Sequence, residues 1–285
     1  CTDFSSDSIV TFADPDLAEV VNEALGLDIG VAISCDQIAE LKELIVGTNI
    51  QRVVYGGTLR PSPSKPFESL DGIQNLTGLT RLSIINRLIT DIGPLSNLKN
   101  LVSLNLHTNW FSDLGPIEGL INLEQLIVSE NPISDISPLA GLTKLRRLHV
   151  HGLYPYQLQH YLSMNDGRDP NVEFNGITDI GPLRELREMR LLRIHLNAIS
   201  DISPLANLHR LTHLRIYNSQ IKDISALENL DQLVLLWAHN NQIEDISPLN
   251  RMTDLQQLSL NGNAITNIGA LGEMIHMEHL FLSNN

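Results

Sequence analysis

The chain has 285 residues and a formal net charge of −14, because 33 acidic side chains outnumber 19 basic ones. Nucleic-acid binding requires a basic stripe along the surface, and the sequence contains none. The sequence also lacks an apolar run of the roughly 18 residues that a membrane-spanning helix needs. No nucleophile motif, phosphate-binding loop or metal-hydrolase motif is present, so we predict a protein that is not an enzyme and that carries no cofactor.

Residues 9–48 predict a helical cap at the N-terminal end of the fold. Asp14-Pro15 is typical of a helix start, and Gly26 is typical of a helix stop. The segment Ser34-Cys35-Asp36-Gln37 is typical of a capping box, which predicts a second helix from Cys35 to Val46. Repeat proteins need such terminal caps because their end units otherwise expose an apolar face.

The rest of the chain, residues 49–285, is built on a period of 22 residues. Each regular unit contains a Leu-x-x-Leu-x-Leu-x-x-Asn run, as from Leu101 to Asn109, and most units continue with Ile-Ser/Gly-Pro-Leu. This pattern is a leucine-rich repeat array, so the predicted fold is an α/β solenoid, a curved right-handed superhelix with one parallel sheet on its concave side. The period is marked by Asp91, Asp113, Asp135, Asp179, Asp201, Asp223, Asp245 and Asn267.

Each position of the unit has a predicted role. Leucines two residues apart alternate with polar residues, which turns one face of a short strand inward and the other outward. The asparagine after the strand is expected to bond backbone groups of neighbouring turns, and the aspartate to accept backbone N–H groups where a helical turn starts. We predict about eleven strands, the first at Ile50–Tyr55, with a projecting loop at Gly56–Pro66.

One unit of the array is irregular. Residues 153–174 keep the 22-residue length but lose the leucine pattern, and Gln157 stands where an aspartate is expected. The segment from Tyr154 to Leu162 predicts a short helix, while Val172 still falls at a strand position. Two interpretations stay open: a decayed repeat with a longer helix on the convex side, or a functional bulge on the rim.

The C-terminal end of the sequence carries no recognisable cap. The chain stops at Asn284-Asn285, inside a repeat and directly after a strand. We therefore expect a fragment of a longer protein, with Leu280 and Leu282 on an unprotected edge of the sheet.

The cap and the repeats together resemble the bacterial internalin-like leucine-rich repeat proteins. The resemblance is carried by Phe12 to Gly26, by Ile33 to Leu44 and by the repeat motif, and it covers roughly residues 9–285. It implies an adhesion or binding protein, displayed on the bacterial surface or secreted, whose concave side recognises a protein such as a host or cell-surface protein. The same repeat class includes an intracellular regulatory subunit of protein phosphatase 1, so an intracellular scaffold or regulatory subunit stays an alternative.

The first residue gains meaning from this resemblance. A cysteine at the start of a secreted chain is typical of a processed bacterial lipoprotein, in which acyl chains on Cys1 anchor the protein and residues 1–8 form a tether. An arbitrary chain boundary at Cys1 is one alternative, and a disulfide between Cys1 and Cys35 is another.

The repeat register predicts which side chains point outward from the sheet, on what we call the concave face. These positions lie six, eight and ten residues before each aspartate position, and they hold seven of the ten histidines and one of the two tryptophans. Aromatic residues and arginine dominate the energetics of protein interfaces, so we predict a ligand-binding surface here. Its predicted members are His107, His149, His151, Arg193, His195, Arg215, Tyr217, Trp237, His239 and Phe281.

The histidines of this surface predict pH dependence and leave glycan or metal binding as an alternative. Free histidine titrates at about pH 6.5, so acidification is expected to make the concave face basic and to tighten the binding of an acidic partner. His151, Glu173 and His195 share one column and have zinc-ligand chemistry. A spacing of about 4.8 Å between strands, however, is expected to hold the two histidines about twice that distance apart.

Overall fold

The computed structural model describes residues 8–46, 69–155 and 176–285. Its N-terminal part combines two helices with a two-stranded antiparallel sheet: β1 (Ile9–Val10), α1 (Pro15–Ala24), β2 (Ile33–Ser34) and α2 (Cys35–Ala39). The Ser34 hydroxyl and the Gln37 side chain form the predicted capping box at the start of α2. In the described ranges, none of the helices has the length and apolar character needed to cross a bilayer.

The second helix is shorter than the sequence predicts. It ends at Ala39 rather than at Val46, and Glu43–Val46 instead forms strand β3. In β3, Leu44 and Val46 are buried while Glu43 and Ile45 are exposed, which is the alternation of a strand.

Strand β3 pairs in parallel with β4 (Arg81–Ile84), so it holds the place next to β4 that the sequence predicts for Ile50–Tyr55. Ile50–Tyr55 and the predicted loop Gly56–Pro66 lie outside the described residues. The division of the chain into residues 1–8, 9–48 and 49–285 therefore stays a prediction, with β3 as a strand of the repeat sheet inside the second segment.

Within the described ranges, a single parallel sheet of ten strands runs from β3 to β12 in chain order. This sheet confirms the predicted α/β leucine-rich repeat solenoid. After β3 and β4 the strands are β5 (Ser103–Asn105), β6 (Gln125–Ile127), β7 (Arg147–His149), β8 (Leu191–Arg193), β9 (His213–Arg215), β10 (Leu235–Trp237), β11 (Gln257–Ser259) and β12 (His279–Phe281).

Inward-facing leucines and isoleucines form one continuous core between the sheet and the opposite side of each unit. On that opposite side the chain makes short 3-10 helices, and before seven of them an aspartate accepts the backbone N–H two residues ahead at 2.7–2.8 Å, as predicted. Asn267 does the same for Gly269. The 3-10 helices are Ile73–Asn75, Gly93–Asn97, Gly115–Ile117, Ser137–Leu139, Gly181–Leu183, Ser203–Leu205, Ser225–Leu227, Ser247–Leu249 and Gly269–Leu271.

The predicted asparagine ladder is formed by side-chain amides, most of which are buried. The Nδ2 of Asn131 donates to the backbone oxygens of Leu106 and Val128, each at 3.0 Å, and its Oδ1 accepts the N–H of Asn109 at 3.1 Å. The side chain thus satisfies backbone groups that have no regular partner where the chain leaves the strand. The same bonding recurs at Asn109, Asn197, Asn241, Asn263 and Asn285.

Within the described residues, β7 pairs directly with β8 across the irregular repeat. Arg147 pairs directly with Leu191, two repeat lengths later, although the sequence predicts one strand between them. Val172, and all of the predicted helix from Tyr154 to Leu162 beyond residue 155, lie outside the described residues.

The contact between the two sides of this join is close. Asn197 Nδ2 bonds the Val150 oxygen at 3.2 Å across 47 residues, where the other ladder amides span 25. Gly152 donates its N–H to the His195 oxygen at 3.1 Å. A Cβ atom on Gly152 would lie only 1.8 Å from the Leu196 oxygen, so glycine alone fits this approach.

The last strand, β12, presents apolar side chains to solvent, as expected. Leu280 is 44% exposed and Phe281 is 51% exposed, while Leu282 packs partly against the core. At the other end, Cys35 is buried in the first residues of α2, and the described part of the chain holds no free cysteine thiol. Cys1 lies outside the described residues.

Candidate binding face

The structure places the predicted concave side chains in register across the sheet. His149, Arg193, Arg215 and Trp237 are consecutive partners on β7, β8, β9 and β10. Two residues further along each strand, His151, His195, Tyr217 and His239 form a second column. The two columns are adjacent because side chains two residues apart point to the same side of a strand.

The second column is a continuous stack of rings, which we call the ring stack: His151, His195, Tyr217 and His239. The ring centroids of His151 and His195 are 4.3 Å apart, those of His195 and Tyr217 are 4.1 Å apart, and those of Tyr217 and His239 are 4.2 Å apart. The planes of successive rings differ by only 12–22°. Neighbouring strands lie about 4.8 Å apart, so the backbone brings the rings close to stacking distance.

The stack is continuous only because one repeat is absent from the sheet. His151 and His195 are neighbours, whereas the sequence predicts Glu173 between them and places the two histidines two strand spacings apart. That expectation is wrong, because β7 pairs directly with β8. In the described part of the chain no group of three or more His, Cys, Asp or Glu side chains is placed to hold a metal ion, and Glu173 lies outside that part.

Burial divides the predicted site residues into two kinds. His195 is only 2% exposed and Tyr217 only 8%, since each is covered on both ring faces by its neighbours in the stack. These two rings therefore stiffen the face and offer little surface to a partner. Their aromatic area also stabilises the fold, because stacked aromatic pairs contribute about 0.5–1.5 kcal/mol beyond the area they bury.

Trp237 and Arg215 lie at the accessible part of the face. The Arg215 guanidinium carbon sits 3.8 Å above the ring centroid of Trp237, which is a close cation–π contact. Trp237 also leans on the ring stack, with centroids 6.3 Å from Tyr217 and 6.5 Å from His239. Both side chains are thus held in one conformation before any partner arrives.

The remaining predicted residues flank this centre. His107 contacts the stack edge-on at 6.2 Å from His151, and its Nε2 lies 3.7 Å from a carboxylate oxygen of Glu130. Thr108 donates to the other oxygen of that carboxylate at 3.0 Å. Phe281 lies on β12, far along the sheet from His107, and is half exposed.

The buried histidines are poor proton acceptors. Burial, helped by the charge of Arg193, lowers the pKa of His149 to about 2. Burial also lowers the pKa of His151 to about 4, although the nearby Glu130 carboxylate opposes the shift. Burial lowers the pKa values of His195, His213 and His239 as well. The expectation that this face becomes strongly basic on mild acidification is therefore wrong for these rings.

Sequence reasoning missed two contributors to the face. Arg147 lies ten residues before the empty position Gln157, in a column that the sequence analysis searched only for histidine. Tyr154 stacks edge-on against His151 at 6.2 Å, at the start of the irregular repeat. Counting all cationic and aromatic residues in the third column would have found Arg147, whereas no repeat position predicts Tyr154.

Comparisons with known proteins agree with this architecture. A family model described as "Leucine Rich repeats (2 copies)" matches residues 188–229, 209–251 and 228–273. The chain is similar to the crystal structure of internalin C2 from Listeria monocytogenes, with 25% identity and a TM-score of 0.65 over 98% of this chain and 100% of that one. This is an internalin-like leucine-rich repeat protein.

Other matches extend this likeness in fold. The functional domain of InlJ from Listeria monocytogenes matches the internalin-like chain with 19% identity and a TM-score of 0.66, over 98% of this chain and 62% of that one. A plant peptide hormone receptor, RGFR1 in complex with RGF2, matches with 21% identity and a TM-score of 0.60, over 74% of this chain and 33% of that one. A comparison with curated proteins finds no match.

Proposed function

We propose that this internalin-like protein is a non-enzymatic binding protein of a bacterial surface, and that it recognises a protein partner through the concave face. Leucine-rich repeat proteins, including internalins and receptor ectodomains, typically bind other proteins. One of the solved structures similar to this chain is a plant peptide hormone receptor in complex with RGF2.

The observation that carries the proposal is the pre-assembled centre of the face. Trp237 is fixed between Arg215 and the ring stack, with contacts of 3.8 Å to the arginine and 6.3 Å to Tyr217. Tryptophan, tyrosine and arginine are the residue types enriched at energetic hot spots. Because their conformations are already restricted, a partner loses less conformational entropy in ordering them.

Site-specific photocrosslinking tests the concave face directly. A benzophenone amino acid at Gln257, on the strand beside Trp237, reports concave contacts, and one at exposed Ala140, just after a 3-10 helix, reports convex contacts. Intact cells and their extracellular proteins are the source of partners. We expect a discrete crosslinked product from the Gln257 position alone, competed away by unlabelled wild-type protein.

The matched substitutions are Trp237→Ala and Trp110→Ala, because the chain has only these two tryptophans. If Trp237 is a central anchor, its loss should cost about 2 kcal/mol or more of binding free energy, which is roughly a thirtyfold loss of affinity. Trp110→Ala should leave affinity unchanged. A folded Trp237→Ala variant that crosslinks and competes as wild type would refute the concave site.

Surface display or secretion is the finer part of the proposal. Acyl chains on Cys1 would be the anchor of a displayed protein, whereas the bonded state of the Cys35 thiol favours the alternative, a disulfide between Cys1 and Cys35. Lipid attachment and a disulfide to Cys35 exclude each other, because each uses the single sulfur of Cys1. Both reactions belong outside the cytoplasm, where disulfides persist and bacterial lipoproteins reside. Metabolic labelling with an alkyne fatty acid, with Cys1→Ala as control, tests the anchor. A Cys1–Cys35 disulfide found by non-reducing peptide mapping would contradict the anchor and leave export intact.

A further inference from the structure

Three arginines of the concave face come together on neighbouring strands, and we call them the arginine cluster: Arg147 on β7, Arg193 on β8 and Arg215 on β9. Arg193 and Arg215 are direct cross-strand partners, and Arg147 pairs with Leu191, two residues before Arg193. Nine of the fourteen arginines of this acidic protein lie between residues 146 and 215. The cluster is therefore a local cationic site on a protein of net charge −14.

Two members of the cluster, Arg147 and Arg193, form no ion pair with a carboxylate of the described residues. In the described ranges the arginines that form ion pairs with glutamates are Arg81, Arg146, Arg187 and Arg210. Like charges directly opposite each other on adjacent strands are destabilising, so the Arg193–Arg215 pair costs stability in the unliganded protein. Burial and the charges of Arg215 and Arg147 lower the pKa of Arg193 to about 10.

The donors of the cluster are oriented before binding. Arg215 lies with its guanidinium over Trp237, and the N–H groups of a guanidinium point outward in its plane, so stacking leaves edges for an acceptor. Arg193 is half buried between Arg215 and His149. The Nε2 atom of His149 is itself buried without a hydrogen-bond partner. A ligand with several acceptor oxygens would suit the guanidinium donors of Arg147 and Arg193.

We propose that the arginine cluster binds a carboxylate-rich segment of the partner, a short stretch of aspartate or glutamate side chains. The inference rests on the proposed concave binding function and names the chemistry of its partner. Planar carboxylates match arginine through two parallel hydrogen bonds. A long polyanion such as a sulfated glycan fits less well, because it would run from this small site onto a protein whose net charge repels it, including ten acidic residues against one lysine in residues 1–50.

The first experiment uses a fluorescein-labelled peptide of ten glutamates and fluorescence anisotropy at low ionic strength. The test variant is Arg147→Gln with Arg193→Gln, and the control variant is Arg184→Gln with Arg187→Gln, which removes the same charge away from the concave face. Hydrogen bonds to charged groups are strong enough that the test variant should bind about tenfold or more weakly. The control should change affinity less than twofold. Circular dichroism verifies that both variants are folded.

The possible results distinguish failure of the carboxylate proposal from failure of the proposed function. No binding of the glutamate peptide to wild type, or equal weakening in both variants, overturns the proposal. Stronger binding of a heparin oligosaccharide through the same arginines also overturns it, in favour of a glycan site. If the Gln257 crosslink depends on Trp237 but not on Arg147 and Arg193, the carboxylate proposal fails while the concave partner site stands. If that crosslink is absent as well, the proposed function itself fails.

Discussion

Replacing Gly152 by alanine puts a methyl group where the sheet has no room. The added Cβ would lie 1.8 Å from the backbone oxygen of Leu196 and 3.3 Å from Oδ1 of Asn197. The first contact involves backbone atoms on both sides, so the two strand ends must separate by roughly 1 Å or more before it is tolerable. That movement also strains the hydrogen bond from Gly152 N–H to the His195 oxygen, which is 3.1 Å long.

The expected cost is at the upper end of what overpacking causes. Overpacked sites typically lose 1–3 kcal/mol, and a weakened hydrogen bond adds about 1 kcal/mol, so we expect Gly152→Ala to lower the free energy of unfolding by about 3 kcal/mol. Gly141→Ala is the matched control, because a Cβ there meets nothing within 4 Å. Surface changes of that kind usually alter stability by less than about 0.5 kcal/mol.

Urea unfolding followed by circular dichroism measures both variants against wild type. Gly152→Ala should move the midpoint to lower urea with the slope unchanged, since the unfolded surface stays the same. Near-ultraviolet circular dichroism should change too, because the displaced segment carries His195 of the ring stack. Equal midpoints for the two alanine variants would show that β7 and β8 do not close directly on each other.

Two further predictions concern buried polar groups. Because burial lowers the pKa of His149 to about 2 and of His151 to about 4, the unfolded chain binds more protons below its own histidine pKa. The free energy of unfolding should therefore have its highest value above about pH 6.5 and fall by up to about 1.4 kcal/mol per pH unit for each ring as the pH drops toward 4. Urea midpoints that stay constant between pH 7.5 and 4.5 would contradict this. Asn131→Ala should lower the free energy of unfolding by about 3 kcal/mol, since it leaves several buried backbone groups without hydrogen-bond partners. Asn100→Ala removes one exposed hydrogen bond and should cost under about 1 kcal/mol in thermal unfolding. Equal losses in the two variants would contradict a stabilising role of the ladder.

The repeat period alone predicts most of this fold. The aspartate turns, the asparagine ladder and the in-register columns of the concave face follow from a period of 22, because every unit repeats the same backbone path. The leucine positions fix which face of each strand is buried. Arg193, Arg215 and Trp237 therefore lie where the sequence places them.

Two features could not be predicted from local pattern. The segment Glu43–Val46 satisfies both a helical and an alternating pattern over four residues, and pairing with β4 decides for the strand. The irregular repeat keeps its full length, so nothing local shows that β7 pairs with β8 across it. Hydrogen bonds between residues far apart in the sequence determine both strand β3 and the pairing of β7 with β8.

The candidate site was predictable in membership but not in electrostatics. Listing outward positions finds the histidines, yet their pKa values depend on how far neighbouring rings cover them. Stacking at 4.1–4.3 Å covers both ring faces of His195 and one face of His151, and this burial lowers the pKa values of both rings. The packing of the rings against one another therefore has to be known before their pKa values can be predicted.

The direct pairing of β7 with β8 shows that the register of this sheet is preserved because the two strands are separated by two full repeat periods. Since the skipped segment spans one whole period, every later side chain returns to the side it would have occupied anyway. Direct pairing across one whole period therefore leaves the order and the facing of the described strands unchanged. Pairing across the segment also brings together residues that are two repeats apart in sequence. His151 and His195 are in contact for this reason, whereas an array with a strand from every repeat would separate them.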